Sequence, residues 1–361
     1  MNSKINSLTS LRFFAAMLIV IGHGSQIPAF KSFEFSLFNV GNSVSFFYVL
    51  SGFILTYNYY SMTDYKSYLV ARIARVWPLH LTMLIVVIFA LNYDVRNLSV
   101  LLANALAIQS WFPYSNYFYS YNAVSWSIST EIAFYVAFPL FLWMLKNNIK
   151  SLITVALLFL LVPLSLCVYT GIPVKPSPDY VSSSFWLYIN PICRSVEFIS
   201  GMVACNLFLK QKPSNSNGTS KEVILLILMI ISMFTTNHLW YLFKDGRYAA
   251  FFGWFATAGS FLFIALFIHC TAKGSGLISK SLSAKWLVYL GEISFSMYMC
   301  HQVILNFINK YFSEESVLHS EAFYILYLIS VVVMSSALFH LVEVPARKAI
   351  RGMLSRRQVT A

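Results

Sequence analysis

The chain has 361 residues, of which 58% are hydrophobic and only 11% are charged, which is about half the usual charged share. This composition excludes the pair of water-soluble domains that the length alone would allow. The formal net charge of +12 is typical of basic anchoring against membrane lipids, so it does not indicate nucleic acid as a partner.

Apolar runs long enough to cross a bilayer recur along the whole chain. We predict an all-α, polytopic integral membrane protein with about ten transmembrane helices, at residues 10–29, 42–60, 77–93, 128–146, 151–170, 191–209, 222–243, 248–270, 287–309 and 322–344. The predicted organisation is a single membrane-embedded domain over 1–345, followed by a basic cytoplasmic tail over 346–361.

The basic residues support this topology. If the N-terminus is cytoplasmic, eighteen of the 25 basic residues fall on the inner side of the membrane. The seven on the outer side are Lys31, Arg96, Lys175, Arg194, Lys244, Arg247 and Lys310. The positive-inside rule therefore predicts an even number of spans with both termini cytoplasmic.

Arg12 and His23 are eleven residues apart in the first predicted span. On an α-helix this spacing makes three turns plus about 20°, so the two side chains share one face, about 16 Å apart along the axis. Ionisable groups inside membrane helices are costly to bury and are often functional. His23 is therefore the leading candidate for a catalytic base.

The second predicted span contains Ser51 and Gly52. Their small side chains let another helix or a ligand approach the backbone closely. Simple helix packing is the alternative to a ligand site, and Ser51 is kept as a candidate pocket residue.

An amphipathic stretch over 65–78 follows on the inner side, and it contains Arg72 and Arg75. Because these arginines are three residues apart, they project to the same side of a helix and can hold phosphates together. The alternative is that they anchor an interfacial helix at lipid headgroups. Arg12 is expected at the same inner surface, and three guanidinium groups at one entrance favour a site for a polyanionic donor.

The fourth predicted span begins at 125–131 with the residues Ser-Trp-Ser-Ile-Ser-Thr-Glu. In the predicted topology Glu131 enters the outer half of the bilayer, where it is expected to meet His23. Glu131 would then orient the imidazole and stabilise its charged form. The alternative is that Glu131 pairs with Arg194 or caps the start of its own helix.

Three further polar residues are candidates for the substrate pocket, namely Ser127, Ser129 and His301. The alternative for His301 is a structural role, as a core histidine whose hydrogen bonds are all made within the protein. Arg194 and Glu197 are three residues apart and are predicted to form a structural ion pair. The sequence contains no zinc motif, phosphate-binding glycine loop or G-x-S-x-G elbow, so neither a metal nor a resident cofactor is predicted.

In their order and spacing these motifs resemble membrane-bound acyltransferase family 3, whose bacterial members acylate surface polysaccharides and related acceptors. The resemblance covers nearly the full length of the chain. The segments that carry it are Arg12-x10-His23, 46–53 (FFYVLSGF), Arg72-x-x-Arg75, 125–131 (SWSISTE), 291–301 (GEISFSMYMCH) and 341–345 (LVEVP).

The resemblance implies that acyl-CoA, most often acetyl-CoA, is the co-substrate and that no cofactor is bound. It implies a hydroxyl of a cell-surface or lipid-linked carbohydrate as the acceptor, and the bacterial inner (cytoplasmic) membrane as the location. The donor phosphates would sit among Arg12, Arg72 and Arg75. His23, oriented by Glu131, would act as a general base or as a covalent acyl relay.

Two other classes of function fit the same residues. A transporter or flippase for a lipid-linked glycan or anion is compatible with ten spans and buried charge, and it predicts no acyl transfer. A structural subunit of an envelope complex would tolerate the loss of both His23 and Glu131.

Overall fold

The computed structural model of the chain describes residues 4–25, 39–211, 217–311 and 321–359. Within these ranges all regular structure is helical, as predicted, and there is no strand. The helices are α1 Asn6–Gly24, α2 Gly41–Tyr59, α3 Tyr65–Leu91, α4 Leu98–Ala105, α5 Ser115–Phe118, α6 Trp126–Asn147, α7 Ile149–Thr170, α8 Pro191–Lys210, α9 Thr219–Phe243, α10 Ala249–Ala258, α11 Phe261–Ala272, α12 Leu277–Leu282, α13 Lys285–Glu292, α14 Ser294–Tyr311, α15 Glu321–Leu338 and α16 Val344–Val359.

Eight helical segments of the described chain are long and apolar enough to cross a membrane. They are Asn6–Gly24, Tyr65–Leu91, Ala123–Asn147, Ile149–Thr170, Phe185–Lys210, Thr219–Phe243, Ala249–Ala272 and Phe323–Ile350. The predicted spans 42–60 and 287–309 are also helical, as α2 and as α13 with α14. Both carry several buried polar side chains, which lowers their mean hydropathy. The prediction of a polytopic, all-α membrane protein is confirmed.

The third span starts twelve residues earlier than predicted. Asp64 caps α3, because its carboxylate accepts a hydrogen bond from the backbone N–H of Ser67 at 3.0 Å. The amphipathic stretch over 65–78 is therefore the first half of a membrane helix that continues through Pro78 to Leu91.

Three predicted spans are divided by local irregularities. The eighth breaks between α10 and α11 at Gly259 and Ser260, and the ninth breaks between α13 and α14 at Ile293. The tenth ends in a wide helical turn over Phe339–Glu343, after which α16 continues to Val359. Most of the basic tail predicted at 346–361 is thus helical.

The chain forms two compact units, each assembled from segments distant in sequence. The first unit takes the described parts of 1–15, 36–61 and 137–292. Its core is apolar, and α2 and α8 pack most closely within it. A Cβ atom on Gly52 would lie 1.9 Å from the carbonyl oxygen of Phe198, and one on Gly201 would lie 1.9 Å from that of Val49. Glycine is therefore required at both positions.

The second unit takes the described parts of 16–35, 62–136 and 293–361. It contains the end of α1, the whole of α3 and the beginning of α6. It also contains α14, α15 and α16, and both α14 and α16 pack against α3. Residues of both units fall within the single membrane domain that the sequence predicts over 1–345.

Candidate active site

His23 and His301 lie against each other in the second unit. Nδ1 of His23 is 2.9 Å from Nε2 of His301, and the rings are stacked with their centroids 5.2 Å apart. His301 is fully buried within α14, whereas His23, on the last turn of α1, is partly exposed. The side chain that contacts His23 is thus a second histidine, His301, which the sequence predicts as a pocket residue.

A hydrogen bond within α14 orients His301, and contacts with the start of α6 hold that part of α14 in place. Its Nδ1 is 2.7 Å from the carbonyl oxygen of Tyr298. The hydroxyl of Tyr298 donates to the carbonyl of Val124 and accepts from the hydroxyl of Ser127, each at 2.9 Å. Ser127 therefore supports the helix that carries His301.

The turn that carries His23 is held by two tyrosines of α15. The hydroxyl of Tyr327 is 3.3 Å from the carbonyl oxygen of Val20, and the hydroxyl of Tyr324 is 3.5 Å from that of Ile21. A Cβ atom on Gly24 would lie 3.2 Å from both tyrosine rings. The absence of a side chain at Gly24 thus lets α15 pack tightly against the end of α1.

Arg72, Arg75 and Glu131 form a second polar group in the same unit, around Tyr135. The hydroxyl of Tyr135 donates to Oε1 of Glu131 at 2.5 Å. Arg72 and Arg75 lie within electrostatic range of the same hydroxyl. Arg72 is buried, and Arg75 and Glu131 are half-buried. The two arginines predicted to bind phosphates are therefore accompanied by a carboxylate.

The contacts of α3 give the directions of the helices around it. The hydroxyl of Tyr68, near the start of α3, donates to the carbonyl of Tyr135 in α6 at 3.1 Å. At the other end of α3, the hydroxyl of Tyr311 in α14 donates to the carbonyl of Ala90 at 2.9 Å. Ser127 of α6 also meets Tyr298 of α14. From this contact α6 continues to Tyr135 at the start of α3, whereas α14 continues to Tyr311 at the end of α3, so α6 and α14 are antiparallel.

This arrangement separates Glu131 from the histidine pair. Ser127 and Tyr298 are in contact, and from that level Glu131 and His301 lie in opposite directions along antiparallel helices. At 1.5 Å per residue their backbones are about 10 Å apart along the axis. Glu131 is therefore level with the arginines, and a direct contact between Glu131 and His23 stays a prediction.

The other predicted site residues lie elsewhere. The hydroxyl of Ser129 is buried and bonded to that of Ser110 at 2.6 Å, which fixes a short 3₁₀ turn over Gln109–Trp111 against α6. Arg12 and Ser51 are half-buried residues of the first unit, on α1 and α2. The grouping of Arg12 with the other arginines, and a pocket role for Ser51, stay predictions.

Sequence reasoning missed Tyr135 and the partnership of His301. Tyr135 was detectable, because it follows Glu131 by four residues and so shares its helix face. The contact between His23 and His301 joins residues 278 positions apart and has no local signal. Among the described residues no three His, Cys, Asp or Glu side chains are grouped so as to hold a metal ion. The histidine pair can carry out acid–base chemistry. The two arginines, which lie at a different position along the helix axis, can bind an anion.

Comparison with known proteins gives a consistent set of relatives. A family model described as an acyltransferase domain, Acyl_transf_3, matches residues 5–340. Acyltransferase MdmB from Streptomyces mycarofaciens is 29% identical over 337 residues, which cover 84% of this chain and 80% of MdmB.

Two longer relatives match as well. The putative peptidoglycan O-acetyltransferase YrhL from Bacillus subtilis is 24% identical, over 83% of this chain and 48% of its own length. O-acetyltransferase OatA from Staphylococcus aureus is 23% identical, over 94% of this chain and 57% of its own length. The chain thus spans about half the length of these two proteins. No solved structure matches it significantly.

Proposed function

Since the chain belongs to acyltransferase family 3, whose model matches residues 5–340, we propose that it is an O-acyltransferase that moves an acetyl group from acetyl-CoA to a carbohydrate hydroxyl. The acceptor is a cell-surface or lipid-linked glycan, at the bacterial cytoplasmic membrane. Two relatives named as O-acetyltransferases support the type of reaction. The observation that carries the mechanism is the contact between His23 and His301, which gives the second unit an oriented imidazole.

The donor binds through Arg72 and Arg75 in this proposal. Guanidinium groups stay charged at any physiological pH and match phosphate oxygens in pairs, which suits the phosphates of coenzyme A. Both arginines lie in the first three turns of α3, the end that the distribution of basic residues assigns to the cytoplasm. A role for Arg12 in holding the donor stays a prediction from the sequence.

His23 performs the chemistry as general base. It takes the proton of the acceptor hydroxyl, and the oxygen attacks the carbonyl carbon of the thioester. The carbon–sulfur bond then breaks, and the thiolate of coenzyme A receives the proton from His23. In the relay variant, a nitrogen of His23 attacks the thioester carbon and the thiolate of coenzyme A leaves. The acceptor hydroxyl then attacks the acetyl-imidazole, its proton passes to the thiolate, and His23 is released as a neutral ring.

Glu131 is assigned to the donor side. Glu131 accepts a hydrogen bond from Tyr135, which lies within electrostatic range of both arginines. By helix rise it is about 10 Å along the axis from the level of His301. A carboxylate there holds the guanidinium groups in position between turnovers.

The test is transfer from radiolabelled acetyl-CoA in membranes that contain the wild type, His23→Ala or Arg72→Ala at matched expression. His238→Ala is the control, because His238 is an exposed histidine of α9. We expect label in a glycan or lipid-linked fraction for the wild type and the control. His23→Ala should lower the rate by about 10²–10⁴-fold, the usual contribution of a general base.

Each other result has a defined meaning. Equal labelling with His23→Ala would remove His23 from the chemistry while leaving the transferase. A lack of transfer by the wild type with acetyl-CoA and succinyl-CoA, together with movement of a lipid-linked glycan across vesicles, would establish the flippase function instead.

A further inference from the structure

The hydrogen bonds around His301 determine which nitrogen of each imidazole carries a proton. A carbonyl oxygen only accepts hydrogen bonds, so Nδ1 of His301, 2.7 Å from the carbonyl of Tyr298, carries hydrogen. In a neutral ring the other nitrogen, Nε2, then holds a lone pair. A permanently charged His301 is disfavoured, because the ring is fully buried within a membrane protein.

The same reasoning extends to His23. Its Nδ1 is 2.9 Å from Nε2 of His301, and since that Nε2 is an acceptor, Nδ1 of His23 is the donor. The lone pair of neutral His23 is therefore on Nε2. Within the described part of the chain, the hydrogen bond of the His23 ring is made through Nδ1, not through Nε2.

We propose that His301 is a positioning residue that fixes the tautomer of His23 and makes Nε2 of His23 the nitrogen that takes the acceptor's proton. This inference rests on the proposed function and adds the atom and its support. His23 donates from Nδ1 to Nε2 of His301, and His301 donates from its own Nδ1 to the carbonyl oxygen of Tyr298.

A neutral histidine suits this position in a membrane better than a carboxylate. When His23 takes a proton on Nε2, its Nδ1–H still points at the lone pair of His301. The Nδ1 proton of His23 can then move to Nε2 of His301, which transfers the positive charge from the first ring to the second. Throughout, Nδ1–H of His301 stays hydrogen-bonded to the Tyr298 carbonyl. No unpaired charge has to be buried before the substrate arrives.

The scaffold around the pair is consistent with a positioning role. Tyr298 is held by Val124 and Ser127, while the turn of His23 is clamped by Tyr324 and Tyr327. Fixed neighbours of this kind define the orientation of a catalytic ring, and a misplaced tautomer costs a histidine enzyme much of its turnover.

The experiment compares His301→Gln with His301→Leu in the purified full-length protein. The glutamine side chain still offers an acceptor oxygen to Nδ1 of His23, whereas leucine, of similar volume, offers none. We expect His301→Leu to lower kcat by about 10²–10⁴-fold, as loss of the orienting group does in a catalytic triad. His301→Gln should retain at least tenfold more activity than His301→Leu, and KM for acetyl-CoA should change less than threefold in both.

A chemical rescue tests the tautomer directly. Nδ1-methylhistidine placed at position 23 holds the lone pair on Nε2 without donating to His301, although its methyl group fits only where His301, 2.9 Å away in the wild type, has been replaced. In the His301→Leu protein it should therefore raise kcat at least tenfold over the same protein with ordinary histidine at position 23. No rise in kcat, or equal activity of His301→Gln and His301→Leu, would overturn the proposal.

Ring-¹⁵N spectra separate this proposal from the proposed function. The signals of His23, assigned by their loss in His23→Ala, should show protonated Nδ1 and unprotonated Nε2, and His301→Leu should remove this preference. A wild type that transfers no acyl group but shows this tautomer would refute the transferase and leave only the control of the His23 tautomer by His301 standing. The opposite tautomer would refute the role of His301.

Discussion

Arg194 and Glu197 form an ion pair one turn apart on α8, with a nitrogen–oxygen distance of 3.0 Å and both side chains fully buried. The sequence predicts this pair, and the prediction is confirmed. The guanidinium group also lies 5.1 Å from the ring centres of Tyr48 and Tyr188, and it donates to the hydroxyl of Ser45 at 3.2 Å. The positive charge is thus enclosed by a carboxylate, two aromatic faces and a hydroxyl.

Removing one partner of this ion pair should lower the free energy of unfolding more than removing both partners does. Glu197→Gln leaves a buried guanidinium without its counter-charge, so the free energy of unfolding should fall by about 3–5 kcal/mol. The double variant Arg194→Met with Glu197→Met should lose less than Glu197→Gln or Arg194→Met alone. Thermal and denaturant unfolding in detergent micelles measures all three.

The exposed pair of Lys4 and Glu292 provides the control. Its side chains are 48% and 40% exposed, and surface pairs contribute about 0–1 kcal/mol. Glu292→Gln should therefore unfold almost as the wild type does. A double variant at 194 and 197 that is destabilised by the sum of the single losses would contradict coupling.

The sequence predicts the helices well because hydropathy and length are local properties. Every predicted span has a helix, whereas the breaks at Ile293 and Gly259 are not visible in a run of apolar residues. The three-residue spacing of Arg194 and Glu197 on one helix also predicts their ion pair. The partner of His23 depends on how α1 meets α14, and only the tertiary packing determines that contact. The level of Glu131 depends in the same way on the direction of α6 against α3.

Alanine at Gly52 or Gly201 should force α2 and α8 apart. Each added methyl group would lie 1.9 Å from a backbone carbonyl oxygen, and a backbone cannot move away as a flexible side chain can. We expect each variant to lose at least the 1–3 kcal/mol typical of an overpacked core, measured as a lower midpoint of thermal unfolding in detergent.

Gly352 is the matched control on α16. A Cβ atom there meets nothing within 4 Å, and alanine favours a helix over glycine by about 1 kcal/mol. Gly352→Ala should therefore keep or raise the midpoint. Wild-type stability of Gly52→Ala would mean that the close approach of α2 and α8 is not required.

Neutralising Arg75 should weaken binding of the acyl donor and leave the chemical step nearly unchanged. Arg75→Gln removes a guanidinium group from the proposed phosphate site, and a hydrogen bond to a charged group contributes about 1.5–3 kcal/mol. KM for acetyl-CoA should thus rise by about tenfold or more, with kcat within a factor of two. Initial rates over a range of acetyl-CoA concentrations give both constants.

Arg96 serves as the control for a lost positive charge. It is exposed and paired with Asp94 at 2.8 Å, and the topology predicted from the sequence assigns it to the outer side. Arg96→Gln should leave KM unchanged. If Arg75→Gln lowers kcat and leaves KM at the wild-type value, Arg75 does not hold the donor.

Tyr135→Phe distinguishes the two roles considered for Glu131. It removes the hydroxyl that donates to Glu131 and keeps the ring, so a carboxylate that arranges the donor arginines should lose its orientation. KM for acetyl-CoA should rise several-fold, and Glu131→Gln should also raise it. The double variant should show less than additive losses, because each single variant removes the same contact.

Tyr169→Phe is the control. Tyr169 is an 84% exposed tyrosine, so this variant should leave both KM and kcat unchanged. If Glu131→Gln instead lowers kcat as His23→Ala does, with KM unaltered, Glu131 acts on the imidazole after all and the separation of the two levels does not describe the working enzyme.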